Sequence, residues 1–149
     1  MRDMEISNPS VASTLTFAVE QSGKPRHQVA REAGIHRETL QRILQGKRPI
    51  ALDEATQILT ICGGHPKATI LLVMNGQQDL ACQWVRNDMG AFLEEFISVL
   101  PTQIDQTLGQ RVADLRPRWA KGTSQLVARM LAKHIDEFTD RDFAATFGR

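Results

Sequence analysis

The sequence predicts an all-α fold in which a run of short helices is followed by a smaller helical C-terminal region. Three observations carry that expectation. Apolar residues recur at spacings of three and four along most of the chain, the period of helices that bury one face. Glycines fall just past the ends of those stripes, at Gly23, Gly34, Gly46, Gly63, Gly76 and Gly109, where a helix closes with a left-handed residue. Hydrophobic residues make up 42% of the 149 and charged residues 23%. That is the balance of an ordinary globular chain, and no apolar run approaches the ~20 residues of a membrane span.

Taken in order, Asn8 and Pro9 read as an N-cap and first helical residue, and Val11, Leu15, Ala18, Val19 and Ser22 share one face up to Gly23. After Lys24 and Pro25, a short helix is expected from Arg26 to Ala33, a turn over Gly34 to His36, and a second helix from Arg37 to Gln45 closed by Gly46. Ala30 and Gly34 stand where two steeply crossed helices must approach and turn, with Val29, Ala33, Ile35, Leu40 and Ile43 as their common core. A basic loop, Lys47, Arg48, Pro49 and Ile50, leads to a stripe at Leu52, Ala55, Ile58, Leu59 and Cys62, ended by Gly63 and Gly64. Pro66 opens a fifth helix to about Asn75, although its β-branched and apolar content also admits a strand.

The break at Asn75 and Gly76 is read as a domain boundary, giving residues 8–76 and 77–149. From Gln77 to Leu100 one long helix is expected, with Ala81, Val85, Met89, Phe92, Phe96 and Leu100 in register and Leu80, Trp84 and Ile97 widening the stripe. Pro101 starts a short helix to Leu108. The last clear helix spans Thr123 to Phe138, with Asp140 capping a short tail helix. There is no internal repeat.

Several function classes find no support. The start, MRDMEISNPS, lacks the basic and apolar segments of a secretory signal, so a cytoplasmic protein is expected. Cys62 and Cys82 form no CxxC pair and are expected as thiols. His27, His65 and His134 are scattered with no ligand spacing among them, so no metal and no cofactor is expected. With no GxSxG, no Walker loop and no paired carboxylates, no catalytic residue is assigned and an enzyme is not expected. Net charge is only +1, but its distribution is uneven. Between Lys24 and Arg48 stand seven basic residues (Lys24, Arg26, Arg31, Arg37, Arg42, Lys47, Arg48) and two acidic ones (Glu32, Glu38). A local patch of this kind is what counterion release from phosphates requires.

This order of elements, with the stretch VAREAGIHRETLQRILQGKRPI from Val29 to Ile50, resembles the Cro and phage-repressor (XRE-type) helix-turn-helix family over roughly Asn8 to Gly76. Two positions depart from the family pattern: Arg26 stands where many members have Gln, and His36 where they have a Ser or Thr cap. The resemblance implies a lambda-repressor-like five-helix DNA-binding domain and a transcriptional regulator, a repressor more than an activator. It also implies that Arg37, Glu38 and Arg42 meet base edges with Thr39 and Gln41 nearby, and that Arg26, His27, Lys47 and Arg48 contact phosphates. Helical geometry agrees: with Leu40 and Ile43 inward, Arg37, Glu38, Gln41 and Arg42 lie outward. The plainer reading is a solvated face on which Glu38 pairs with Arg42.

One motif reads few base pairs, so the apolar C-terminal stripes, with Trp84, Phe92, Phe96, Leu126, Met130 and Phe138, are expected to form a homodimer on a palindromic operator. The alternatives are packing on the N-terminal domain, a pocket for an effector or protein partner near Trp84 or Trp119, and an antitoxin-like interaction module that binds DNA secondarily. The Ser and Lys pair of self-cleaving repressors is not found in this helical half.

Overall fold

A computed structural model of the chain describes residues 5–6, 9–85 and 87–147. Asn8, expected as the first N-cap, lies outside the described residues. Among those described, eight helices follow in order: α1 (Pro9–Ser22), α2 (Arg26–Glu32), α3 (Arg37–Leu44), α4 (Leu52–Ile61), α5 (Pro66–Met74), α6 (Gln78–Trp84), α7 (Asp88–Leu108) and α8 (Ala120–Phe147). Two 3-10 segments, Gly109–Asp114 and Pro117–Trp119, stand between the last two. The all-α class expected from the helical stripes is the class observed, and the segment Pro66–Met74, open to a strand reading, is a helix. One small addition is β structure: β1 (Glu5–Ile6) pairs antiparallel with β2 (Ile50–Ala51), Glu5 opposite Ala51 and Ile6 opposite Ile50.

The chain forms two compact units, one up to Pro101 and one from Thr102 onward. In the first, α1 to α6 enclose a single apolar core. Leu15, Val29, Leu40, Ile43, Ile58 and Leu59 are its largest fully buried apolar side chains. The faces predicted for α1 and α4 are the buried ones: Val11, Leu15, Ala18 and Val19 on α1, and Ala55, Ile58 and Leu59 on α4. Cys62 is buried at the end of α4. The carboxylate of Glu54 accepts the Ala51 backbone N–H at 3.4 Å, so the start of α4 is closed by its own third residue.

The boundary expected at Gly76 lies inside this unit. Ala81 and Val85 are buried in the same core as α1, and α6 packs on α1 and α5. The helix expected without interruption from Gln77 to Leu100 is broken after Trp84. The Val85 carbonyl accepts the His65 N–H (3.0 Å), which places it at the start of α5 rather than in a helical ladder of its own. Asn87 then acts on both sides of the break: its amide nitrogen donates to the Gln83 carbonyl (2.8 Å), and its Oδ1 accepts the Met89 N–H (3.1 Å). A Cβ on Gly90 would run into the Trp84 carbonyl oxygen and the His65 ring, so α7 can approach here only with glycine. Glu94 completes the join, its Oε1 accepting the Lys67 N–H (2.7 Å) and the Ala68 N–H (3.2 Å). These are two of the four amides that a helix start leaves without partners, and the N-cap of α5, His65, makes no side-chain cap.

Two further expectations are corrected. Pro101 does not open a new helix but sits inside α7, which continues to Leu108. Proline there withholds its own N–H from the ladder and crowds the carbonyl four residues back, that of Ile97, yet the exposed helix continues through it. Gly109, with φ +54°, is where α7 stops. Asp140 is likewise interior to α8, which runs unbroken from Ala120 to Phe147. Asp is a weak helix former on an exposed face, yet nothing else at that point favours a cap over another turn. No helix among the described residues is long and apolar enough to cross a membrane.

Candidate nucleic-acid interface

The arrangement around α2 and α3 is set by two glycine closures. At the end of α2 the Ile35 N–H donates to the Ala30 carbonyl (3.0 Å) and the Gly34 N–H to the Arg31 carbonyl (3.1 Å), with Gly34 at φ +70°. The pair of bonds is a Schellman closure, which needs a left-handed residue at the glycine position. The chain leaves α2 there, and three residues on, from Gly34 to His36, it enters α3. The same closure ends α3: the Lys47 N–H donates to the Arg42 carbonyl (2.9 Å) and the Gly46 N–H to the Ile43 carbonyl (3.0 Å). Both glycines thus orient the helix that follows or the loop that carries Lys47 and Arg48.

Between the closures, Val29, Ala30 and Ala33 of the α2 segment and Leu40, Ile43 and Leu44 of α3 are buried. Ala30 has the small size that the close approach demands. A tie the sequence did not suggest holds the far end of α3: the Thr16 hydroxyl of α1 donates toward the Leu44 carbonyl (3.1 Å) while also reaching the Ala12 carbonyl (2.9 Å). Leu44 is one of the last residues of α3, whose carbonyls lack helical partners, so Thr16 satisfies one of them and fixes the helix on α1.

The outward side of α3 follows from what is inward. With Leu40, Ile43 and Leu44 on one arc, the middle of the opposite arc holds Glu38, Gln41 and Arg42, all exposed. Arg37, also exposed, begins the helix at one margin of that arc, and Thr39, half-buried beside Ile43, lies at the other. Gln45 is exposed in line with Gln41 and Arg42. Its spacing of four from Gln41 and three from Arg42 is the signal in the sequence that places it on the face. His36 caps α3 with no side-chain bond, as its replacement of Ser or Thr suggests.

The charges around this face are partly committed. Lys24 pairs with Glu32 at 3.0 Å, and Glu32 also accepts from the Gln28 amide (3.0 Å). The Gln28 bond first, and Lys24 second, hold the Glu32 carboxyl below its ordinary range. Arg48 stands 3.7 Å from Glu54. Among the described residues no ion pair engages Arg26, Arg31, Arg37, Glu38, Arg42 or Lys47 within 4 Å, so the alternative pairing of Glu38 with Arg42 is not formed. Arg26 and His27 are exposed in the first turn of α2, and Lys47 and Arg48 in the loop beyond α3. The surface therefore has an uncommitted cationic set on and beside α3, with one carboxylate, Glu38, within it.

The residues selected for dimerisation fall in different places. Trp84 is half-buried and packs against the core of the first unit. Phe92 and Phe96 stack on α7 with ring centroids 5.7 Å apart, Phe92 remaining 48% exposed. Leu126, Met130 and Phe138 lie exposed on α8, in the second unit. Neither cysteine is in a disulfide, and burial pushes the half-buried Cys82 thiol up, away from thiolate chemistry. Among the described residues no three metal-ligating side chains come together.

No curated protein and no solved structure gives a significant match to the chain. Residues 12–70, from the first turn of α1 to the middle of α5, match the family model described as a helix-turn-helix domain.

Proposed function

We propose that the protein is a sequence-specific DNA-binding transcriptional regulator of the Cro and phage-repressor type. In this reading it is a cytoplasmic repressor without catalytic activity that binds a palindromic operator as a homodimer. The observation that carries the reading is the outward arc of α3. It combines Arg37 and Arg42, whose forks suit guanine O6 and N7, with Glu38, which can accept from cytosine N4, and among the described residues none of the three is held by an ion pair. A helix about 12 Å wide fits the major groove, and entry from its N-terminal end brings Arg37 and Glu38 to the bases first. Arg26 and His27 on one side and Lys47 and Arg48 on the other then meet the phosphate backbones and set register without reading sequence.

Footprinting on genomic fragments tests this. Two protected half-sites with centres about one helical turn apart, roughly 34 Å, are the expected result for a symmetric dimer; protection without any preferred site would refute sequence-specific regulation. In the same assay Lys47→Ala with Arg48→Ala separates anchoring from reading. Affinity is expected to fall by a similar factor on every fragment, and the slope of log K against log salt to become shallower by up to about 2. A loss confined to the preferred sites would instead make these two residues readers.

A further inference from the structure

We infer that α8 is a dimerisation helix that pairs antiparallel with the α8 of a second copy of the chain, the alignment being set by a charge split along its length. This rests on the homodimer reading above and names the interface. Leu126, Met130, Ile135 and Phe138 are 62%, 63%, 62% and 53% exposed. Together with Val112, Leu115 and Trp119 they leave seven large apolar side chains of the second unit open to solvent. At on the order of 100 Å² apiece, half of what a large side chain can bury, that is about 700 Å². Summed over the unit, this exposed apolar surface approaches the ~800 Å² that each partner contributes to a stable interface.

What covers the apolar side chains of α8 is indicated by the charge pattern along the helix. From Ala120 to His134 the helix carries Lys121, Arg129 and Lys133 and no acidic residue. From Ile135 to Phe147 it carries Asp136, Glu137, Asp140 and Asp142 against one base, Arg141. The two halves hold +3 and −3, meeting at His134, whose ring stands edge-on to Phe138 at 4.8 Å. A parallel pair would set +3 beside +3 and −3 beside −3. An antiparallel pair sets each basic half beside an acidic one, opposes the two helix dipoles, and places the two-fold axis near His134 and Ile135. The helix is thus complementary to itself in one direction only, which selects a second copy over an unrelated apolar partner.

Sedimentation of the full chain, with circular dichroism as a check on helix content, tests the inference with two variants at exposed positions. One carries Lys121→Glu, Arg129→Glu and Lys133→Glu; the other carries Asp136→Lys, Glu137→Lys, Asp140→Lys and Asp142→Lys. The native chain is expected to dimerise, each variant alone to self-associate at least about tenfold more weakly, and an equimolar mixture to recover dimers. Recovery on mixing shows that neither variant had merely misfolded. If both variants dimerise as the native chain does, the α8 interface is wrong while the homodimer reading stands. If the native chain stays monomeric at high concentration, or associates only when a different protein is added, both readings fall. Two helical variants that remain monomeric when mixed also overturn the antiparallel pairing.

Discussion

An Arg37→Ala, Arg42→Ala double variant is expected to keep its fold and lose its choice of DNA. Both side chains are exposed and make no ion pair among the described residues, so their removal leaves the core of Leu40, Ile43 and Leu44 intact. A bidentate arginine contact to guanine distinguishes the right base from the wrong one by about 1–3 kcal/mol, and two such contacts give about 2–6 kcal/mol, or roughly 30-fold and upward. Competition binding between preferred and arbitrary fragments is the measurement. The preference is expected to collapse, while weak, salt-sensitive binding persists through Arg26, Lys47 and Arg48. If the double variant discriminates as the native protein does, base reading lies elsewhere.

Leu40→Ala is the largest expected loss of stability. Leu40 is fully buried between α3 and the rest of the first unit, and its neighbours on α3, Ile43 and Leu44, are held by their own packing and by the Thr16 tie. Removing three carbons there leaves a cavity that cannot collapse without moving α3, at a cost of about 2–5 kcal/mol. A domain of this size has a total stability of about 5–15 kcal/mol, so the midpoint of thermal unfolding is expected to fall by at least about 8 °C. An unchanged midpoint would mean that α3 is not seated as described. Arg42→Ala is the internal control: it changes the outer arc of the same helix and is expected to leave the midpoint within a degree or two.

The region around α2 and α3 was legible in the sequence because its requirements are local. Gly34 and Gly46 turn so that the residues after them, Ile35 and Lys47, donate to carbonyls five residues back, and the small Ala30 is buried in α2, which packs on α3, so pattern and geometry coincide within a short window. The outer arc was legible for the same reason: once Leu40 and Ile43 are inward, Glu38, Gln41 and Arg42 have one place to be. Gln45 is less legible because it stands at the C-cap of its helix, where the period runs out.

What the sequence hid depends on partners distant along the chain. The break between α6 and α7 comes from the Val85 carbonyl being taken by His65, and the seating of α7 from a Glu94 carboxylate that closes a helix beginning at Pro66. No periodicity records such a bond, and the stripe through Ala81, Val85 and Met89 reads as one helix because each half keeps the same period. The expected boundary at Gly76 failed for a related reason. Gly76 does close α5, but a closure marks the end of a helix and not the end of a core, and Ala81 and Val85 return to the core that α1 built. Pro101 and Asp140 show the converse, residues with strong local preferences overridden by the helix on either side.

Whether α3 reads a specific DNA sequence is decided by selecting bound sites from random duplex DNA with the native protein. Enrichment of an inverted repeat is expected, its halves containing G·C pairs and lying about 10 base pairs apart from centre to centre, with the enrichment abolished by the Arg37→Ala, Arg42→Ala substitutions. Recovery of unenriched sequence after repeated rounds, or the same enriched site with and without those two arginines, would contradict it.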